Sequence, residues 1–388
     1  MLLSLLVYGL TGAVLYLLGW HVNRREQRLQ LQGGKQLPFY SWEIVLSLVV
    51  FSVVAGARYH TGYDHAMYLE QYQHLQQTGE FSRHNFEYGF EWISKCFAWC
   101  NIHYFFYFAF WALLQIGFLY YGLRNHKHLL CWVGLGIMCG PFFLSWMNSV
   151  RQSVVVCLFV SLIPLIKKRK FLIYALIIIV ASFLHKSALL LLPVFLITYI
   201  IDDKKEVNRY WLLGIFLIFV LLGIFPFWIE YITNYQWFLD LTGYGNYGNL
   251  SDPNVGGTLR RVAWGPSRIS LLLSNVIMIY FYPSIKSYFK EDELLPYFFV
   301  LSFVGMCLSN LLINTTHFIL RPLDYFTVFD LLLGAYYMVC FLKTRKIAIA
   351  ILMSLVLYSH FVIDVFKGVY LPIQTNLPLL YHSFLISI

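Results

Sequence analysis

An all-α polytopic integral membrane protein with about twelve transmembrane helices is the fold class this sequence predicts. Hydrophobic residues make up 59% of the 388 and charged residues only 12%, and the mean hydropathy is +0.65. Apolar runs near the length that crosses a bilayer recur from end to end. The basic residues gather in alternate connections between those runs. The net charge of +9 is therefore a matter of topology, and no nucleic-acid partner is expected.

The spans are read at residues 2–20, 41–56, 103–123, 129–147, 150–166, 171–185, 187–201, 210–230, 268–284, 294–313, 322–342 and 346–364. No Lys or Arg precedes the first, and Arg24, Arg25, Arg28 and Lys35 follow it. That charge order is the reverse of a signal peptide's. The positive-inside rule then places this cluster in the cytoplasm and the N-terminus outside. Strict alternation gives inner turns with Arg124 and Lys127, Lys167 to Lys170, Lys204, Lys205 and Arg209, Lys286 and Lys290, and Lys343, Arg345 and Lys346. Outside fall Arg58, Arg83, Lys95, Arg151, Lys186, Arg260, Arg261, Arg268, Arg321 and Lys367.

The 28 basic residues thus divide 18 inside to 10 outside, with 11 Lys to 7 Arg inside and 7 Arg to 3 Lys outside. Topology needs no outward Arg. Guanidinium is a planar fork that grips phosphate oxygens in pairs, whereas Lys is a hydrated point charge, so the outer Arg set points to a phosphate or carboxylate ligand. Arg151 runs straight into an apolar span, where a charge costs about 2.5–3.5 kcal/mol on insertion scales. It therefore faces a polar cavity or a partner, unless it snorkels to the interface.

Residues 171–201 form an apolar run too long for one crossing and broken only around Ser182, His185, Lys186 and Ser187. Two short spans meeting at an outward turn fit that length, with His185 either chemical or a hydrogen-bonded structural residue. Two outer segments, about 57–102 and 231–267, interrupt an otherwise single transmembrane domain, 1–388. The first holds two short outer-face helices, one from Asp64 to Gln77 and one from Glu87 to Trp99, the latter lying at the interface where Trp and Tyr rings are at home. The second reads Gly243-Tyr244-Gly245-Asn246-Tyr247-Gly248-Asn249. It is either a glycan-contacting lid, since Tyr rings stack on sugar faces and Asn bonds hydroxyls, or a solvated connection.

Cys96 and Cys100 stand one helical turn apart, not at a metal-finger spacing, and the twelve His form no HExxH. No Walker loop, dinucleotide fingerprint or nucleophile elbow occurs, which argues against nucleotide-driven energy coupling.

Arg58 with Gly62, Asp64 and Tyr68, Glu87 with Gly89 and Phe90, Arg151-Gln152, and His185 with Ser187 together resemble the EpsG branch of the Wzy-type O-antigen and exopolysaccharide polymerases. The motifs follow that family's order and spacing over about residues 55–200. Beyond them, Arg321-Pro322 with Asp324-Tyr325-Phe326 resembles its late Arg and aromatic stretch. Tyr88 is a departure, standing where members commonly have Pro.

The resemblance implies a GT-C-like helical architecture in the bacterial cytoplasmic (inner) membrane. It implies polymerisation of undecaprenyl-pyrophosphate-linked repeat units on the outer, periplasmic face, with membrane lipid and a chain-length regulator as further partners. Neither a metal nor another cofactor is expected. Such a reaction needs stabilised diphosphate charge and an activated acceptor hydroxyl. Arg151, Arg58, Arg321 and, in reserve, Arg268 suit the first need. His185, Glu87 and Asp64 suit the second, and Gln152, Tyr68 and Tyr244 are glycan contacts. The acids can instead pair with the arginines and hold the outer segment together. A lipid-linked-oligosaccharide flippase would also want an outer cationic cavity, but no inverted repeat is visible. A ligase of the O-antigen type would share the donor.

Overall fold

A computed structural model describes residues 2–34, 36–59, 63–82, 86–201, 208–225, 265–314 and 320–370, and it is helical throughout. The helices are α1 (Leu2–Leu31), α2 (Trp42–Gly56), α3 (Tyr63–Thr78), α4 (Tyr88–Trp99), α5 (Tyr104–Gly122), α6 (Leu130–Met138) and α7 (Phe142–Asn148). They continue as α8 (Val150–Lys167), α9 (Phe171–Ser182), α10 (Arg209–Ile224), α11 (Pro266–Tyr288), α12 (Leu295–Leu311), α13 (Asp324–Lys343) and α14 (Ile347–Tyr370). Stretches of 3₁₀ helix cover Lys127–Leu129, Lys186–Tyr199 and Arg321–Leu323.

An apolar helix coincides with every one of the twelve runs read from the sequence, but the helices are not equivalent. Among the described residues, five are long and apolar enough to cross a membrane: Ser4–Leu31, Tyr104–Gly122, Val150–Lys167, Arg268–Tyr288 and Arg321–Lys343. A sixth arises if Lys127–Met138 and Phe142–Asn148 count as one broken span. There the single helix read at 129–147 is instead bent by 65°, at a Gly140-Pro141 pair that interrupts the hydrogen-bond ladder. Six further apolar stretches of helix are shorter, α14 being counted only as far as Val356. One of these, Lys186–Tyr199, is a 14-residue 3₁₀ helix with Pro193 inside it. At about 2.0 Å per residue it rises roughly 28 Å, against about 21 Å as an α-helix, so few residues come near the thickness of a bilayer core.

The chain forms two compact units, Met1–Ser161 with Phe341–Ile388, and Leu162–Cys340. In the first, α1 packs on α6 and α2, and α2 packs on α5. Two glycines permit this approach: a Cβ on Gly19 would stand 2.5 Å from the Cys131 backbone nitrogen, and one on Gly56 2.5 Å from the Phe105 carbonyl. Small residues at such crossings let helix backbones meet where burial from water supplies no drive. At the start of α2 the buried Glu43 carboxylate accepts from Arg25 at 2.6 Å and lies 2.8 Å from His21 Nδ1. Glu26 accepts from Lys127 at 3.1 Å and from the Leu37 backbone at 2.7 Å. The Arg-rich end of α1 is thus tied by ion pairs rather than left as a loose cluster.

In the second unit α10 packs against α11 and α12, and α9 against the 3₁₀ helix Lys186–Tyr199. Its core is aromatic. Tyr282 stacks on Phe299, with planes 7° apart and centroids 3.4 Å apart, and Phe298 packs on Phe329 at 5.6 Å. Leu172, Leu176, Trp211, Leu217 and Leu221 are exposed on α9 and α10, an apolar surface that suits lipid better than water. The protein is accordingly a multi-pass membrane protein.

Candidate functional site

Arg151 enters α8 as its second residue, immediately after the Ser149 break that ends α7. Its guanidinium pairs with the Glu87 carboxylate through Nη1, and its Nε donates to the Tyr68 hydroxyl at 3.1 Å. Three rings surround it: the Cζ atom lies 4.9 Å from the Phe86 centroid, 5.3 Å from Phe90 and 5.8 Å from Tyr68. A cation against aromatic faces, with its charge neutralised by a carboxylate, is stable at low polarity. The side chains of Arg151 and Glu87 remain 15% and 9% exposed. Arg151 therefore has the polar partners that a charge entering an apolar helix requires.

Each partner arrives for a local reason. Tyr68 lies one turn after Asp64 on α3, so the two share a face. Glu87 flanks the N-terminus of α4, with extended backbone (φ −74°, ψ 144°) and no side-chain cap bond, which leaves its carboxylate for Arg151. Tyr88 is the first residue of that helix, the position where Pro is favoured because the first N–H has no partner. Phe90 packs on Trp111 at 5.2 Å, Tyr72 stacks on Tyr107 at 4.1 Å, and the Tyr107 and Ser94 hydroxyls meet at 2.8 Å. Burial pushes the Tyr72 phenol up to about 12, and its hydroxyl donates to the Ile102 carbonyl, 2.7 Å away.

Arg58 follows the C-terminus of α2 and is 1% exposed. Its Nε donates to the Ala55 carbonyl at 2.8 Å, and its Cζ lies 6.0 Å from the Phe143 ring. Gln152 is buried beside Arg151. Upstream, Gln115 donates to the Trp146 and Val150 carbonyls at 3.4 and 3.2 Å, so α5 holds the α7–α8 joint that aims Arg151. Sequence reading passed over Gln115 and Phe86. A Gln inside the apolar span 103–123 was the available signal.

The second unit holds the other predicted residues. His185 stands before the 3₁₀ helix, buried, with extended backbone (φ −157°, ψ 119°). Two residues on, the buried Ser187 hydroxyl meets the Tyr325 hydroxyl at 2.8 Å. The His185–Ser187 turn and the Arg321–Tyr325 stretch, read separately in the sequence, are thereby joined. Arg268 is buried in the first turn of α11, and its Nη2 donates to Asn310 Oδ1 at 2.6 Å. Asn310 in turn donates to the Met306 carbonyl at 2.6 Å. That partner was missed, although an Asn inside an apolar span signals an interhelical bond. Tyr244, Arg260 and Arg261 lie outside the described residues. Among the described residues no group of three or more His, Cys, Asp or Glu is arranged to hold a metal ion.

No curated protein and no solved structure matches the chain. The EpsG family model matches residues 42–375, which include every described residue of the two sites. The chain belongs to the EpsG family, and that membership suggests the role of a polysaccharide polymerase of glycosyltransferase type.

Proposed function

We propose that the protein polymerises undecaprenyl-pyrophosphate-linked oligosaccharide repeat units on the outer face of the bacterial cytoplasmic membrane. The acceptor hydroxyl attacks the anomeric carbon of the donor glycan. The bond from that carbon to the diphosphate oxygen breaks, undecaprenyl pyrophosphate leaves with the bonding electrons, and the hydroxyl proton passes to a base. A metal-independent reaction of this kind needs preorganised cationic donors at the leaving group, because charge develops there in the transition state.

The observation that carries the reading is Arg151, a guanidinium at the head of a bilayer-crossing helix, set in an aromatic box and fixed by Glu87 and Tyr68. A bilayer-borne diphosphate meets such a group at headgroup depth. In this first unit Arg151 and Arg58 are the diphosphate contacts, Glu87 and Asp64 the proton acceptors, and Gln152 and Tyr68 glycan contacts. In the second unit His185 is assigned the role of base and Arg321 and Arg268 those of anion contacts, each by its own chemistry. Tyr244 is a glycan contact.

Twelve crossings, a GT-C-like arrangement, a single polymerase domain and a chain-length regulator as partner belong to this proposal too. It is supported by a helix at each predicted span and by the Lys-rich alternate turns. The test is release of undecaprenyl pyrophosphate from a labelled repeat unit by the purified protein in lipid. Stoichiometric release with glycosidic bond formation is expected, and movement of intact substrate between leaflets without release would overturn it.

A further inference from the structure

Helix α4 has two faces. Inward, Phe90 packs on Trp111 at 5.2 Å, Ser94 bonds the Tyr107 hydroxyl, and Phe97 packs on Phe110 at 5.0 Å. Outward, Tyr88, Trp92 and Trp99 are 82%, 70% and 89% exposed, and Cys96 is exposed between them. Positions 88, 92, 96 and 99 fall on one stripe of an α-helix, about 16 Å long. Three large exposed aromatics on one stripe mark a surface that meets something.

What it meets follows from where α4 ends. Asn101 turns the chain with a φ of 49°, and the Ile102 N–H bonds back to the Phe97 carbonyl at 3.1 Å. Tyr72 and Gln76 donate to the Ile102 carbonyl at 2.7 and 2.9 Å. Two residues later α5 begins at Tyr104, a helix long and apolar enough to cross a membrane. Trp99 thus lies within about 17 Å of the start of a bilayer crossing even for an extended chain, and the chain here is folded back. A sugar platform surrounds its rings with groups that bond hydroxyls. Here the intervening residue is Cys96, and Lys95 is engaged by Glu80 at 2.9 Å. Trp and Tyr on the exposed stripe of an amphipathic helix suit the headgroup–acyl boundary.

We propose that α4 docks on the phospholipid interface through Tyr88, Trp92 and Trp99, and that this contact holds Glu87, and with it Arg151, at the depth of a lipid-borne diphosphate. The docking stands on geometry alone, and its link to the diphosphate rests on the proposed polymerase function. Besides the proton-acceptor role proposed above, Glu87 thereby positions Arg151, with which it pairs.

The test uses the full-length protein in phosphatidylethanolamine and phosphatidylglycerol vesicles. With Cys100→Ser and Cys139→Ser, the remaining cysteines other than Cys96 are buried, so a nitroxide reagent labels Cys96. That label should collide freely with oxygen, and with a water-soluble nickel chelate several-fold less than a label on Lys168→Cys, which lies in an exposed turn, in the same chain carrying Cys96→Ser. Trp92→Ala with Trp99→Ala should raise nickel collisions toward the Lys168 value. Nickel collisions at Cys96 equal to that control overturn the proposal, because the face is then solvated as a glycan platform is. Low collisions with both reagents overturn it as well, because protein then covers the face, as in a dimer.

These readouts need no substrate and survive failure of the polymerase reading. The link to the site is read separately, as a raised KM for the undecaprenyl-pyrophosphate-linked unit at unchanged kcat in Trp92→Ala, restored by Trp92→Phe. An unchanged KM would remove the link.

Discussion

The Arg151 guanidinium and the Glu87 carboxylate, 64 positions apart in the chain, form an ion pair where α3, α4 and α8 meet. The Tyr68 hydroxyl accepts from the same guanidinium through Nε. Glu87 therefore orients Arg151 whatever further part it plays in proton transfer, and the two roles separate by substitution.

Arg151→Lys is expected to lower the polymerisation rate about 100- to 1,000-fold, the usual loss on removing one transition-state donor. An ammonium keeps the charge but cannot span Glu87, Tyr68 and a diphosphate at once. Initial rates of polymer formation check this, and full activity in the Lys variant would show that the fork geometry is not used.

Glu87→Ala or Arg151→Ala alone should each destabilise the protein by about 3 kcal/mol, the low end for breaking a buried pair, because Arg151 keeps 15% of its side-chain surface. The double variant should cost clearly less than the sum, since no buried charge is then left alone. Denaturant unfolding in lipid or detergent gives the cycle, and strict additivity would mean the pair is not formed.

Ser187→Ala and Tyr325→Phe should each cost about 1–3 kcal/mol by breaking the buried bond between the two hydroxyls. Their combination should be closer to neutral. The same unfolding cycle reads the coupling, and a zero interaction term would separate the two turns.

Topology is checked by labelling intact cells with a membrane-impermeant maleimide. In a chain carrying Cys96→Ser, Cys100→Ser and Cys139→Ser, whose other cysteines are buried, Lys95→Cys should react from outside and Lys168→Cys should not, because alternate Lys-rich turns face the cytoplasm. Reaction at Lys168→Cys would invert the topology and remove the outer Arg argument with it.

Much of the fold was legible because hydropathy and bilayer thickness act on composition alone. Helices were foreseen at both α3, from its aromatic, amphipathic pattern, and α4, from its Trp and Tyr rings. The bend at Gly140-Pro141 and the 3₁₀ form of Lys186–Tyr199 were not, since an apolar run looks the same in any helix geometry. Arg151 was singled out because a charge entering an apolar span demands a reason. Its box of Phe86, Phe90 and Tyr68 was not, because aromatics abound in this chain and only three-dimensional contact selects three of them.

The most direct measurement gives purified protein in lipid an undecaprenyl-pyrophosphate-linked repeat unit, with Arg151→Ala alongside, and resolves products by gel. The account predicts a ladder of repeat lengths for the native chain and none for the variant. Transbilayer movement of the unit with no ladder, or an undiminished ladder from Arg151→Ala, would contradict it.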